Sequence, residues 1–466
     1  MPLLPLTFGS QSNPARYGLD GGARIINAML EEAGPDAKAP VILYPVDGLL
    51  PWAAAVVGAG LRGLFATERY LFAVAGQQII RYDVNAGSRV IGYLPGTGPV
   101  YFARNRRVPF EIAAVSGGAA AIIRENEATQ LLVGAPIDAG FVDGYTLLAE
   151  ADGTVRWSAV DDAITYADGD FFSASFAADG LQRVMVLRRE VWLFGTRTIE
   201  VWVPTGQDDQ AFDRLGGGII ERGCLAPASV AKVEERLIWL ADDGTVRVAS
   251  GYQAERISTH AVERTIAAEV DRSAIMAATY SLGGHSHYVM SGAAFTWVFD
   301  MTTRRWTERA SSGAQRWRVG TVADFAGKAI AGDRINGRLY EITPAATTEN
   351  GEPVIMTLRS PPAHAWPEGL SVFALWLDVV PGPSALAPGA IATAEPAVTL
   401  RWSDDGGATW STPRTAPVGI PTGRQTRVRF NRLGLVRNGR VFEVTADARF
   451  VRAIIDAKVQ AEKVAA

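Results

Sequence analysis

The chain is poor in the residues that usually carry chemistry: among 466 residues stand one cysteine, Cys224, and four histidines. A single thiol excludes an internal disulfide, so a stapled secreted scaffold is not expected and folding in a reducing cytoplasm follows. No apolar run approaches the ~20 residues that cross a bilayer; Ala53-Ala-Ala-Val-Val-Gly-Ala-Gly-Leu61 comes nearest. The opening Met1-Pro-Leu-Leu-Pro-Leu-Thr-Phe-Gly-Ser10 lacks the basic start and long apolar core of a signal peptide. An excess of positive charge is also lacking. A net charge of −4 argues against a protein built to grip nucleic acid, since that affinity comes mostly from Lys and Arg neutralising phosphates.

What the chain has in quantity is β-hairpin signal. Gly144-Tyr-Thr-Leu-Leu-Ala-Glu-Ala-Asp152-Gly153-Thr-Val-Arg-Trp157 and Arg236-Leu-Ile-Trp239-Leu-Ala-Asp-Asp243-Gly244-Thr-Val-Arg-Val each place an apolar strand on either side of Asp-Gly. That dipeptide predicts a two-residue type I′ turn, whose twist matches the flanking strands. Weaker relatives occur at Tyr70 to Asp83, Glu190 to Trp202, Phe295 to Thr307 and Gly332 to Ile342. Their spacing of roughly 30 to 50 residues is that of propeller blades with about four short strands each. The predicted fold is all-β: a β-propeller of six or seven blades over 61–343 and a linker over 344–354. A β-sandwich or barrel-like platform follows over 355–466. Residues 1–60, rich in Gly, Pro and Ala, read as an extended arm with one short helix near Ala23 to Glu32, ended by Gly34-Pro35, and packing with the platform. In the platform the loop Pro381 to Gly389 interrupts strongly alternating strands such as Phe373 to Val379.

Three features imitate catalytic sites. Ser403-Asp-Asp405-Gly-Gly407-Ala-Thr409-Trp410 matches the Asp-box pattern of sialidases and related glycosidases. There the motif is structural: the Asp bonds turn N–H groups, the Gly takes a conformation closed to other residues and the Trp packs beneath. It is solitary here, and no Arg triad with a Tyr nucleophile accompanies it, so it predicts a stable hairpin of Ser403, Asp405, Gly407, Thr409 and Trp410 and no glycosidase activity. His285-Ser-His287 would share one strand face, but no third ligand lies nearby, so a polar hairpin edge is expected and no metal. The run Gly216-Gly-Gly218 lacks the Lys-Ser/Thr of a phosphate-binding loop and reads as an inter-blade loop. No catalytic residue, cofactor or metal is expected. The twelve Trp residues stand mostly at alternating strand positions, where blade packing accounts for them.

Charge is uneven. From Gly423 to Arg452 eight arginines face one Glu and one Asp, a local +6 that leaves −10 for the rest. Arg427 and Arg429 alternate with Val428 and Phe430, as on one strand face. A solvated face is the plain reading; the sharper one is a docking surface of Arg424, Arg427, Arg429, Arg432, Arg437 and Arg440 for an acidic partner.

Val191-Trp-Leu-Phe-Gly195-Thr-Arg-Thr-Ile-Glu200-Val-Trp-Val-Pro-Thr-Gly206 resembles a signature stretch of tail hub proteins of short-tailed bacteriophages, often called packaged DNA stabilisation proteins. So does Glu221-Arg-Gly-Cys-Leu-Ala-Pro227-Ala-Ser-Val-Ala-Lys232, leading into Leu237 to Gly244. Arg24-Ile-Ile-Asn27-Ala-Met-Leu-Glu-Glu and Pro45-Val-Asp-Gly-Leu49 are similar to that family's opening, although Asp47 interrupts the expected Pro-Gly. The Asp404 to Trp410 hairpin and the Arg-rich strands after it are similar to its C-termini. The resemblance implies a structural virion protein made in the host cytoplasm: a tail nozzle, six copies in a ring below the portal and adaptor. That ring would close the DNA exit and later conduct the genome. Implied partners are the adaptor ring, tail spikes or fibres, a tail needle and double-stranded DNA sliding without sequence-specific contact. The alternatives are a sialidase-like propeller glycosidase and a non-viral propeller scaffold.

Overall fold

The computed structural model describes residues 3–34, 36–207, 210–382, 396–418 and 426–465. Of the expected features, Pro35, the loop residues 383–389 and Arg424 lie outside the described residues. The chain divides into two compact units, Pro51–Ala294 with Arg318–Glu341, and Met1–Leu50 with Phe295–Trp317 and Ile342–Ala466.

In the first unit apolar runs too continuous for a half-wet sheet form the middle strands. Leu71–Ala75 and Ile112–Ser116 are buried at every position, because each sheet is covered on both faces by its neighbours. Phe72 and Val74 pack with Ile112 and Ala114 of the next sheet, whereas Leu71 and Ala73 pack with Phe325 and Ile330. Five four-stranded antiparallel sheets result, each a simple meander, running from Leu61–Ala66 to Gln253–Arg256. Two further hairpins follow, Met276–Leu282 with His285–Ser291 and Val319–Phe325 with Lys328–Asp333. Successive modules pack against one another, most through their first strands and the others through shared cores, and Val319–Phe325 packs against Leu61–Ala66. The seven modules therefore close into a ring, as a β-propeller requires.

The Asp-Gly hairpins form where expected, with a different turn. Gly153 and Gly244 have φ of 99° and 77°, and their N–H groups donate to Glu150 O and Ala241 O at 3.1 and 2.9 Å. These are four-residue turns with the positive φ on the glycine alone. Asp152 and Asp243 instead use Oδ1 to accept from the N–H of Thr154 and Thr245, at 2.9 and 3.1 Å, which fixes the aspartate without a left-handed backbone. The Gly216–Gly218 run is not a loop. It lies within Phe212–Ile220, where the register slips opposite Val201 and the glycines form a bulge.

The second unit is a β-sandwich. One sheet runs Ala28–Glu32, Val41–Pro45, Val451–Val464, Gly369–Pro381, Thr426–Val436, with Leu3–Pro5 also paired to Val451–Val464. The facing sheet includes Arg24–Ile26, Ile355–Arg359, Val441–Asp447, Ala397–Ser403 and Arg414–Pro417. Leu375, Leu377, Val428 and Phe430 from the first meet Ile25, Leu358, Leu400 and Val444 from the second in one core. The helix expected near Ala23 to Glu32 is two strands, Arg24–Ile26 and Ala28–Glu32. Asn27, at φ 56°, breaks any helix there, and its amide is buried: Nδ2 donates to Ala310 O and Ile355 O, and Oδ1 accepts from Ala310 N. Within 344–354 stands a small hairpin, Thr348–Glu349 with Glu352–Pro353.

Candidate functional site

The basic surface begins at a sheet edge. Thr426–Val436 ends its sheet and pairs with Gly369–Pro381. Along it Arg427 and Arg429 are exposed while Val428 and Phe430 are buried, because side chains alternate between core and solvent. Arg427 stands opposite Asp378, and the Arg429 guanidinium lies 4.4 Å from the centre of the Trp376 ring. Arg432, at φ 59°, follows exposed Asn431 on a local irregularity and stays exposed, as does Arg437. The carbonyls of Asn431 and Arg432 accept from Arg414 Nη1 at 2.8 and 3.2 Å, so part of this free edge is already occupied.

Arg440 does not join that surface. It is 3% exposed and binds Asp404 through Nε and Nη2 at 2.5 and 2.7 Å, with further bonds to the carbonyls of Leu433 and Leu435. With four of its five N–H groups used in this way and its charge met by Asp404, this buried guanidinium has little to offer a partner. Arg449 is likewise tied to Asp447 at 2.6 Å. The docking candidates that the described structure presents are thus Arg427, Arg429, Arg432 and Arg437.

The Asp-box hairpin is a self-contained hydrogen-bond knot. Ser403 Oγ donates to Asp405 Oδ1 at 2.6 Å and accepts from Gly407 N at 2.7 Å. Thr409 donates its N–H and its hydroxyl to Asp405 at 2.9 and 2.6 Å. Bonds from the Ser403 hydroxyl, then from Thr409, hold the Asp405 carboxyl well below the ordinary carboxylate range. Trp410 Nε1 donates to Gly407 O at 3.0 Å. Every polar group of the motif is spent on the turn.

Sequence reading missed what surrounds this knot. The guanidiniums of Arg359 and Arg401 lie 4.8 and 4.5 Å from the Trp410 ring centre, and both pair with buried Glu443. The available signal was Glu443 itself, a lone acid in the apolar run Val441-Phe-Glu-Val444. Elsewhere, among the described residues, no group of three or more His, Cys, Asp or Glu could hold a metal ion. His285 and His287 share a strand face with rings 6.0 Å apart and 5° from parallel. Burial pushes the Cys224 thiol up to about 12, which removes it as a nucleophile at neutral pH.

A family model described as bacteriophage P22 Gp10, beta-propeller, matches residues 25–347, and one described as bacteriophage P22 Gp10, beta-sandwich, matches residues 358–462. The chain belongs to the bacteriophage P22 Gp10 family. A Gp10-family chain is a structural protein of the phage tail and not an enzyme, which agrees with an Asp-box spent wholly on its own turn. No curated protein matches it. Among solved structures it is similar to the WD40 β-propeller domain of Doa1, at 12% identity over 64% of this chain and 98% of that one, with a TM-score of 0.44. It is also similar to BamB from Moraxella catarrhalis, at 10% identity over 74% and 98%, with a TM-score of 0.39. No helix of the described residues is long and apolar enough to cross a membrane.

Proposed function

We propose that this Gp10-family protein is a tail nozzle: six copies in a ring below the portal and adaptor, closing the DNA exit and later forming the ejection conduit. The observation that carries this reading is the family match over both the propeller and the sandwich. Charge supports it. A conduit must let DNA slide, so dense cationic charge would hold the genome back, and a chain of net charge −4 meets that requirement. A ring also needs two complementary faces per subunit that close on themselves. The exposed arginines of Thr426–Val436 are the candidate for a contact with acidic groups on the adaptor or a neighbouring subunit. Spikes or fibres and a tail needle are further partners in this reading.

The test is a particle assembled without this protein. Packaged DNA is confined at high density against its own charge repulsion, so heads lacking the nozzle should fill and then lose their DNA. Heads that kept full-length DNA and injected it normally would refute both the plug and the conduit. Imaging of complete particles should show the chain at sixfold symmetry; any symmetry other than sixfold or twelvefold would refute the nozzle.

A further inference from the structure

Within the propeller unit the segments leading into several first strands converge on a cavity of about 570 Å³. Ala59–Gly60, Gly96–Pro99, Pro227–Ala228 and Ser273–Ala274 supply much of its wall. Two charged side chains line it, Arg62 and Arg334, and no acid does. The wall beside them is electrically settled: the Tyr101 ring lies 3.5 Å from the Arg183 guanidinium, which pairs at 2.6 Å with fully buried Asp138.

The two lining arginines differ in what they hold. Arg62 spends its donors on neutral oxygens: Gly98 O at 2.7 Å, Gly76 O at 2.8 Å, Leu94 O at 3.2 Å and Ser116 Oγ at 2.6 Å. It is fixed in place with its charge uncancelled. Arg334 is half-buried, and its side chain makes no hydrogen bond or ion pair among the described residues. The neighbouring acid, Asp333, uses Oδ1 for the turn amides of Ile335 and Asn336 and faces Arg318 through Oδ2 at 3.9 Å. Burial draws both Arg62 and Arg334 below the ordinary guanidinium value, yet each stays charged at neutral pH. Two like charges, partly stripped of water and without counter-charge, make a concave site of positive potential. A planar guanidinium with free N–H groups matches an oxyanion in two-point geometry.

We propose that this cavity binds a free oxyanion of the phosphate or carboxylate class, with Arg334 as its direct ligand and Arg62 as a fixed second charge. The proposal does not depend on the nozzle reading. Its test is the melting temperature of the full chain titrated with inorganic phosphate, ionic strength held constant with sodium chloride. A saturable rise is expected, since a ligand that binds only the folded state stabilises it, and Arg334→Gln should weaken apparent affinity at least tenfold. Acetate added to the phosphate titration separates the sources: competition assigns the carboxylate class as well, and lack of competition assigns phosphate alone. No saturable shift beyond chloride, or an equal shift in Arg334→Gln, overturns the proposal. Should the Gln variant fail to fold, Arg334→Lys keeps the charge and loses the planar fork; phosphate binding equal to wild type, read from ³¹P line broadening, also overturns it.

Discussion

Arg309 and Glu349, forty positions apart, meet inside the sandwich unit at 3.4 Å between Nη2 and Oε1. Both are almost fully buried. Glu349 also accepts from the Ser311 hydroxyl at 2.7 Å and from Trp317 Nε1 at 2.8 Å, while the guanidinium lies 3.6 Å from the Trp317 ring centre and reaches Asp47 O. This network holds the 295–317 segment to both the N-terminal stretch and the 348–353 hairpin.

Glu349→Ala should therefore cost about 3–5 kcal/mol, the usual result of leaving one buried charge without its partner. Glu349→Gln, which keeps an acceptor for Ser311 or Trp317, should cost less. Urea denaturation of the two variants measures the order; equal losses would mean that the hydrogen bonds from Ser311 and Trp317 contribute nothing beyond the charge pairing.

The Asp-box changes should act on stability and on no activity. Trp410→Ala loses two cation–π contacts, each worth about 0.5–1 kcal/mol at part-exposed sites, so a total near 1–2 kcal/mol is expected. Asp405→Ala should lower the melting temperature by freeing the Thr409 donors. Gly406→Ala should be the most disruptive of the three, because its Cβ would fall 1.7 Å from Gly18 O at a φ of 75°. Calorimetry checks the ranking, and glycan hydrolysis by the wild type, lost on either Asp405 or Trp410 substitution in a folded protein, would contradict the assignment.

Asp243 makes stability sensitive to acid. Burial alone would raise its carboxyl, but bonds from Thr245 Oγ1 at 2.6 Å and Arg247 Nη2 at 2.8 Å outweigh that and bring it to about 2. The folded value lies below the ordinary aspartate value of 3.8, so the contribution is complete above 3.8 and fades as pH falls through about 2. The stability gap between wild type and Asp243→Asn should be largest at neutral pH and close in that window. Denaturant midpoints at pH 7, 4 and 2.5 test the sign, which a gap widening in acid would reverse.

Arg427→Glu with Arg429→Glu should leave the isolated protein folded, since both side chains are exposed. Attachment to tailless heads should fall by roughly tenfold and become sensitive to salt in a new way, as when facing charges are inverted. Normal attachment would leave these arginines as a solvated strand face.

The hairpins were legible because local chemistry decides them: an Asp side chain and a following glycine make a turn whatever lies elsewhere. Ala23 to Glu32 was misread for the opposite reason. Its apolar spacing suits a helix, but its partners Ile355–Arg359 and Val41–Pro45 are supplied by tertiary pairing that no local pattern announces. Arg440 shows the same limit for charge. Its position in a basic run says nothing of Asp404, which lies 36 residues earlier and removes it from the surface.

Val451–Val464 is an interior strand of its sheet, and it takes Leu3–Pro5, Val41–Pro45 and Gly369–Pro381 as partners. A ribosome delivers that strand after every one of these partners, so Leu3–Pro5 stays unpaired until it emerges. Non-local pairing of this kind is slow and leaves strand edges open meanwhile. The first sheet of the sandwich is consequently completed late, and a product cut short before residue 451 lacks the strand that joins Val41–Pro45 to Gly369–Pro381.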